Sequence, residues 1–131
     1  MVARRHATSG SPFEASIGFS RAVRIGNRIL VSGTAPVEND GASTIGDAGV
    51  QAARCLAIIV AAVEELGGKA SDVVRTRMYL VDAADAEAVG TAHGRVFGSI
   101  RPAATMVVVA ALLRPEWRVE IEAEAIVGED G

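Results

Sequence analysis

Three carboxylates stand in one column near the end of the chain. The stretch Arg118 to Val127 alternates, with Val119, Ile121, Ala123, Ala125 and Val127 on one side and Arg118, Glu120, Glu122 and Glu124 on the other. A period of two belongs to a β-strand with one dry face and one polar face. Carboxylates stacked at that spacing repel one another unless cations lie opposite. Matching cations stand in Val73 to Val81, where Val74, Thr76, Met78 and Leu80 alternate with Arg75, Arg77 and Tyr79. If the two strands lie close, in one chain or across a subunit boundary, these columns pair. The result is either an ion-pair network on a solvated sheet or, once desolvated, a site for a small polar ligand.

Two further residues have types capable of chemistry. His93 recurs with Ala86, Val89 and Phe97 at helical spacing, which makes it a partly buried or rim histidine before a general base. Cys55 lies inside an apolar helical stretch and reads as a small packing residue. As the single cysteine it has no internal disulfide partner, and no ligand cluster surrounds it in sequence. A reducing, cytoplasmic setting is expected.

The elements that position these residues follow from pattern and punctuation. Ser20 to Ile25 and Arg28 to Ser32 are short strands, joined by Gly26-Asn27 as a tight turn. Gly33 to Gly46 is a long loop, either functional or a surface excursion. Asp47 caps a helix running to about Leu66, which Gly67-Gly68 stops. Leu56 to Val63 is apolar on nearly every side, so this helix is expected to be covered on more than one face. Asp82 and Asp85 resemble a weak capping box for a second helix, Ala83 to about Phe97. Gly90 and Gly94 weaken that helix unless another backbone approaches closely. Arg101 precedes Pro102 and is expected to be extended. The last thirty residues, Arg101 to Glu129, read as two strands, Ala104 to Leu112 and Arg118 to Val127, joined as a hairpin through Leu113-Arg114-Pro115-Glu116. Met1 to Ser16 is either an ordered edge segment or a loose tail.

The order β-β-α-β-α-β-β predicts a two-layer α/β (α+β) domain over residues 1–131: a mixed sheet with two helices packed on one face. The 131 residues suffice for such a core, and with 50% hydrophobic but only 4% aromatic residues it must be built from aliphatic side chains. Ala104 to Leu112 is apolar on both parities, yet one helix layer covers only one side. Self-association is therefore expected to cover the other. A net charge of −3 without a long basic run offers nucleic acid no footprint. No signal-peptide core or membrane-length apolar stretch is present, so neither nucleic acid nor membrane is expected as a partner.

Several segments carry a likeness in a fixed order. They are Gly18-Phe19-Ser20-Arg21-Ala22-Val23, Gly26-Asn27, Val31-Ser32-Gly33-Thr34-Ala35-Pro36, Gln51, and Gly67-Gly68 with Asp72-Val73-Val74-Arg75-Thr76. Arg101-Pro102-Ala103 and Val119-Glu120-Ile121-Glu122-Ala123 complete the set. Together, across nearly the whole chain, they resemble the RidA/YjgF family, also called the reactive intermediate deaminase or L-PSP endoribonuclease family. The resemblance implies a homotrimer built like chorismate mutase of the bacillus type, with a central barrel and three clefts between subunits that take a small-molecule ligand. It implies hydrolysis of reactive enamines and imines to 2-oxo acids and ammonia, with no metal or organic cofactor.

An arginine in a Pro-Ala-Arg-Ser-type segment clamps the substrate carboxylate in that family, a task suited to a bidentate guanidinium. Here the segment is Pro102-Ala103-Ala104-Thr105, and Ala104 has no donor. Met106 stands for the usual cysteine, Phe19 for an early tyrosine, Gly90 for an asparagine and His93 for its following tyrosine. By the resemblance Glu120 is the catalytic candidate, and Phe19, Ser32, Gly33, Gly90, His93, Ala104 and Met106 line the substrate site, with Arg77 added to them from the neighbouring basic column. Arg77, Arg21 and Arg101 are candidate replacements for the clamp. The expectation is a cofactor-free hydrolase or deaminase for a small imine, enamine or related carbonyl metabolite, outside standard 2-aminoacrylate deamination. The alternative is a non-catalytic metabolite-binding or regulatory trimer.

Overall fold

The computed structural model describes residues 3–128; Met1, Val2 and residues 129–131, the ends of the expected domain, lie outside it. Six strands form one mixed sheet: β1 (Arg4–Ala7), β2 (Ala22–Ile25), β3 (Arg28–Thr34), β4 (Val73–Leu80), β5 (Ala103–Val108) and β6 (Val119–Ile126). Their spatial order is β1-β2-β3-β6-β4-β5. Helices α1 (Ala48–Glu65) and α2 (Ala86–Phe97) cover one face, giving the expected two-layer α/β architecture. The N-terminal segment is an ordered edge: β1 pairs with β2, and a π-helical turn at Glu14–Gly18 leads into β2.

The final two strands are not a hairpin. β6 runs antiparallel between β3 and β4, while β5 pairs only with β4, in parallel. The error has a physical source. A parallel pair needs a crossover, and α2 between β4 and β5 supplies one, so β5 is committed to β4 before the Pro115 turn is made. β5 also stops at Val108, short of the expected Leu112.

Helix α1 begins where Asp47 accepts a hydrogen bond from the Val50 N–H at 2.9 Å. It ends in a Schellman motif: Gly67, at φ +89°, donates to the Glu64 carbonyl, and Gly68 donates to that of Val63. Arg5 and Arg24 add side-chain bonds to the Leu66 carbonyl at 3.1 and 2.7 Å, cations at the negative end of the helix dipole. Its sheet-facing stripe, with Ala52, Cys55, Leu56, Ile59 and Val63, is buried, whereas Ala53, Ala57 and Ala61 are exposed. The all-round apolarity is therefore partly an alanine outer face.

Two local expectations are corrected. Asp82 caps a short 3-10 turn at Ala83–Asp85 rather than α2 itself, and Asp85 turns away to pair with Arg118 at 3.1 Å. Arg101 is not extended but left-handed, at φ +58°, because its N–H closes α2 by bonding to the Phe97 carbonyl at 2.8 Å. The long loop after β3 is fastened down. Buried Gln51 donates to the carbonyls of Thr44 and Glu116 and accepts from the Arg118 N–H, tying that loop to the turn before β6.

Alternation holds across the sheet. Val119, Ile121, Ala123 and Ala125 of β6 and Thr76, Met78 and Leu80 of β4 lie buried beneath the helices, with Phe97 the one fully buried aromatic side chain among the described residues. The opposite face carries Glu120, Glu122 and Glu124 beside Tyr79, Arg77 and Arg75, each directly across the strand pair. β5 is an edge strand with Val107 and Val108 42% and 54% exposed, on opposite faces. The sequence led one to expect a strand apolar on both parities; its place at the sheet edge follows from its pairing with β4 alone among the described strands.

Candidate functional site

The site is organised by an irregularity in β3. Val31 pairs with Ala123 and Thr34 with Ile121, so three steps along β3 match two along β6, and the extra residue falls in Ser32-Gly33. Such a bulge re-aims the backbone locally. Here it brings the Gly33 Cα against Glu120: a Cβ on Gly33 would lie 2.9 Å from Glu120 Oε1. Gly33 does not occupy the left-handed region, so glycine is required by space and not by backbone conformation. Ser32 Oγ donates to the Ser20 carbonyl at 2.7 Å and Thr34 Oγ1 donates to the Ser32 carbonyl at 2.8 Å, which pins both sides of the bulge.

Arg21 stands on the other side of the same glycine. Its Nη2 donates to the Gly33 carbonyl at 2.6 Å, while its Nε is buried and without a hydrogen-bond partner. Burial weakens its hold on the proton, and the carboxylates of Glu14 and Glu120 oppose that effect. A guanidinium stays charged under such conditions. Glu14 is itself buried, and its carboxylate accepts from the Ser9 N–H at 3.0 Å and from the Ser9 hydroxyl. Burial pushes the Glu120 carboxyl above its ordinary range; Arg21 draws it back and Glu122 raises it further. Glu120 is thus a carboxyl poised to hold or release a proton beside a fixed cation. Phe19 follows the π-helical turn, 38% exposed, its N–H bonded to the Glu14 carbonyl.

The remaining sequence-derived site residues lie elsewhere. Arg77 shares the Glu120 face of the sheet but reaches Glu124, at 3.6 Å, and Tyr79 donates to Glu122. Among the described residues the two columns lie directly opposite and are joined by this one ion pair and this one hydrogen bond. Gly90 and His93 sit on α2, in the helix layer. His93 Nε2 shares a hydrogen with Thr76 Oγ1 at 2.9 Å and its ring packs on Phe97, 4.8 Å between centroids. Burial lowers the His93 pKa, so the ring is neutral near pH 7. Within one chain no atom lies within 4 Å of a Cβ built on Gly90 or Gly94, so neither glycine is explained by a close backbone. Ala104 and Met106 pair with Thr76 and Met78 and so point to the helix side.

Within one chain the sequence-derived site residues thus fall into two separate groups. Ser32, Gly33 and Glu120 meet at the bulge with Arg21, and Phe19 precedes them at the end of the π-helical turn, whereas Gly90 and His93 lie on α2 and Ala104 and Met106 on the helix-facing side of β5. β5 and β6 are two strand spacings apart, about 10 Å, and Glu120 and Ala104 leave the sheet on opposite faces. Cys55 belongs to neither: burial pushes its thiol up to about 12, consistent with packing. Among the described residues no three His, Cys, Asp or Glu side chains come together in a form that holds a metal ion. No helix among them is long and apolar enough to cross a membrane. Sequence reasoning missed Glu14 altogether, since no periodicity marks it. Arg21 was visible only as one of three candidate clamps, and its place beside Gly33 depends on the bulge.

A helix-backed mixed sheet with a half-buried carboxyl at a strand bulge defines a protein of the YjgF-like α/β class. Residues 9–127 match the family described as Endoribonuclease L-PSP, and the chain belongs to that family, the RidA/YjgF family. The 2-iminobutanoate/2-iminopropanoate deaminase of Escherichia coli K12 is 33% identical, over 92% of this chain and 94% of that protein. An uncharacterised protein of Streptomyces coelicolor is 39% identical, over 95% and 92%. The crystal structure of Rv2704, a YjgF/YER057c/UK114 family member from Mycobacterium tuberculosis, superposes with a TM-score of 0.88 at 42% identity, covering 95% of this chain and all of that one.

Proposed function

We propose that this chain is a cofactor-free, cytoplasmic hydrolase that releases ammonia from small imines or enamines, in clefts formed between the subunits of a homotrimer. The observation that carries this reading is the Glu120 carboxyl, half-buried, raised in proton affinity and held against a glycine with no room for a side chain. In hydrolysis of an imine, a water oxygen bonds to the carbon of the C=N group as its proton passes to the Glu120 carboxylate. That proton passes on to nitrogen, giving a carbinolamine; the carboxylate then takes the hydroxyl proton and hands it to nitrogen as the C–N bond breaks, so that a carbonyl product and ammonia leave. Glu120 ends as the carboxylate it began as, having carried each proton in turn, so a carboxyl with raised proton affinity serves both transfers. The E. coli deaminase named above supports the reaction class.

The two separate groups of site residues support the trimer. Glu120 and Ala104 lie on opposite faces of the sheet, and a neighbouring copy presenting its β5 end to the bulge unites them without refolding. Because Ala104 cannot clamp a carboxylate, the favoured substrate is an imine or related carbonyl compound lacking that group. The same alanine favours a second reading, a metabolite-binding trimer without turnover. With a net charge of −3, RNA is the least suitable ligand.

The test is ammonia release from lyase-generated 2-aminoacrylate and from bulkier and uncharged imines. Turnover of an uncharged imine that disappears in Glu120→Ala is the expected result. A gain on 2-aminoacrylate in Ala104→Arg locates the missing clamp. Silence of folded wild-type protein on every compound, with ligand binding that survives Glu120→Gln, overturns the hydrolase in favour of the binding protein.

A further inference from the structure

Among the described residues the one buried side-chain nitrogen or oxygen without a hydrogen-bond partner is Arg21 Nε. Buried polar groups are almost always paired, so an orphan of this kind is kept for a reason. The Arg21 fork is already engaged at Nη2, on the carbonyl of Gly33, at 2.6 Å. That glycine lies in the bulge, with its Cα against the Glu120 carboxyl. Arg21 thus holds the Gly33 peptide while the Glu120 carboxyl lies against the Gly33 Cα, with no direct ion pair between them among the salt bridges of the described residues.

We propose that Arg21 is a positioning residue for Glu120: its bond to the Gly33 carbonyl fixes the bulge against the carboxyl, and its charge acts on that same carboxyl. The catalytic part of this inference rests on the hydrolase reading above; the link between Arg21 and Glu120 does not. The groups facing Glu120 come from every side. Tyr79 lies across on β4, Glu122 two residues along β6, Arg21 just before β2 with the Glu14 carboxylate acting on it, and Cys55 of α1 acts from the helix-side core beneath the sheet. Of these Arg21 is the one cation. Glu122 opposes it and shares its own hydrogen bond with Tyr79, so it does not neutralise Arg21. Arg21 is also engaged through its peptide contact, which makes it a poor substitute for the carboxylate clamp missing at Ala104.

Full-length wild type, Arg21→Gln and Arg21→Lys, each checked for folding by circular dichroism, provide the test. Carbon-13 NMR of labelled glutamate follows the Glu120 carboxyl, and nitrogen-15 NMR follows Thr34, whose amide belongs to the peptide that Arg21 binds. In Arg21→Gln the Glu120 midpoint is expected to move up in pH and the Thr34 amide to shift. Where a substrate has been found, kcat falls about a hundredfold with KM held, the scale of a small misplacement at a reacting group. Arg21→Lys retains the charge and loses the fork, so the Glu120 midpoint stays near that of wild type while the Thr34 shift and most of the loss in kcat remain. An unmoved Glu120 midpoint in folded Arg21→Gln overturns the proposal. If Arg21→Gln does not fold, an unshifted Thr34 amide in Arg21→Lys overturns it instead. Both NMR readouts hold without any turnover, so failure of the hydrolase reading is seen separately, in the ammonia assay.

Discussion

Replacing Gly33 by alanine separates geometry from folding at this site. The new Cβ would start 2.9 Å from Glu120 Oε1 and 3.4 Å from its Cδ. Ordinary contact begins near 3.4 Å, so the carboxyl oxygen must retreat by about 0.5 Å. It is the far end of a flexible side chain, and the Gly33 backbone is one that alanine accepts. The expected stability change is therefore small, within about 1 kcal/mol, because alanine also reduces the freedom of the unfolded chain. The chemistry is more demanding. A reacting group displaced by a fraction of an ångström to 1 Å loses up to about a hundredfold in rate, so Gly33→Ala is expected to fall ten- to a hundredfold in kcat with a nearly unchanged melting temperature. Steady-state ammonia release and differential scanning calorimetry on the same preparation measure the two. A variant with wild-type kcat would refute the claim that the bulge exists to seat Glu120. One that melts far below wild type would show that the glycine is structural.

Glu120→Gln tests the ionisation by linkage. Burial raises the folded-state proton affinity of Glu120, so the folded chain binds this proton more tightly than the unfolded one and loses stability as pH rises from the unfolded value through the folded value. The glutamine variant is expected to melt at or above wild type at pH 7, the difference vanishing below the unfolded value near pH 4.5; thermal melts across pH read this directly. His93 works in the opposite sense. Its folded pKa is depressed, so stability is full above the unfolded value of 6.5 and declines as pH falls through and below it. His93→Phe is expected to flatten that acid limb, at a cost of about 1 kcal/mol for the orphaned Thr76 hydroxyl. Gln51→Leu removes three bonds that tie α1 to two loops and is expected to cost about 2–3 kcal/mol by urea unfolding. Val107→Lys, at a 42% exposed edge position, is expected to leave the monomer fold within about 0.5 kcal/mol while splitting the proposed homotrimer in sedimentation runs.

What the sequence makes legible is what depends on local periodicity. Alternation fixed the buried face of β6 and β4, and the parity of Arg75 and Arg77 against Glu122 and Glu124 correctly anticipated neighbouring strands. Capping and stop residues placed both ends of α1, because Asp47 and Gly67 act within one turn of the helix. Strand order was not legible. Nothing in the apolar run from Ala103 says that β4 rather than β6 is its partner, since both parities are alike. The bulge was equally hidden, as one extra residue in a seven-residue strand leaves no mark on hydropathy. Arg101 misled for a related reason. The residue before a proline prefers extension, but closing α2 through its N–H outweighs that local preference. The site inherits these limits: Glu120 stood out by its column, while Arg21 and Glu14 acquire meaning only once β1, β2 and the π-helical turn are folded beside the bulge.

The same reasoning joins two observations that arose separately. β5 is apolar on both parities, which asks for a covering partner on each side of an edge strand. The residues aligned with a substrate site divide between the bulge and the β5 end, on opposite faces of one sheet. A chain that folded alone would leave Val107 and Val108 in water, and, on the homotrimer proposed above, Glu120 without the other half of its cleft. A copy docked along β5 addresses both at once, since the contact that removes the apolar edge also carries Ala104, Met106 and His93 toward a neighbour's Glu120. Assembly and activity should then be lost together. A Val107→Lys protein that sediments as a folded monomer yet still releases ammonia at the wild-type rate would separate them, and would place the working site within a single subunit.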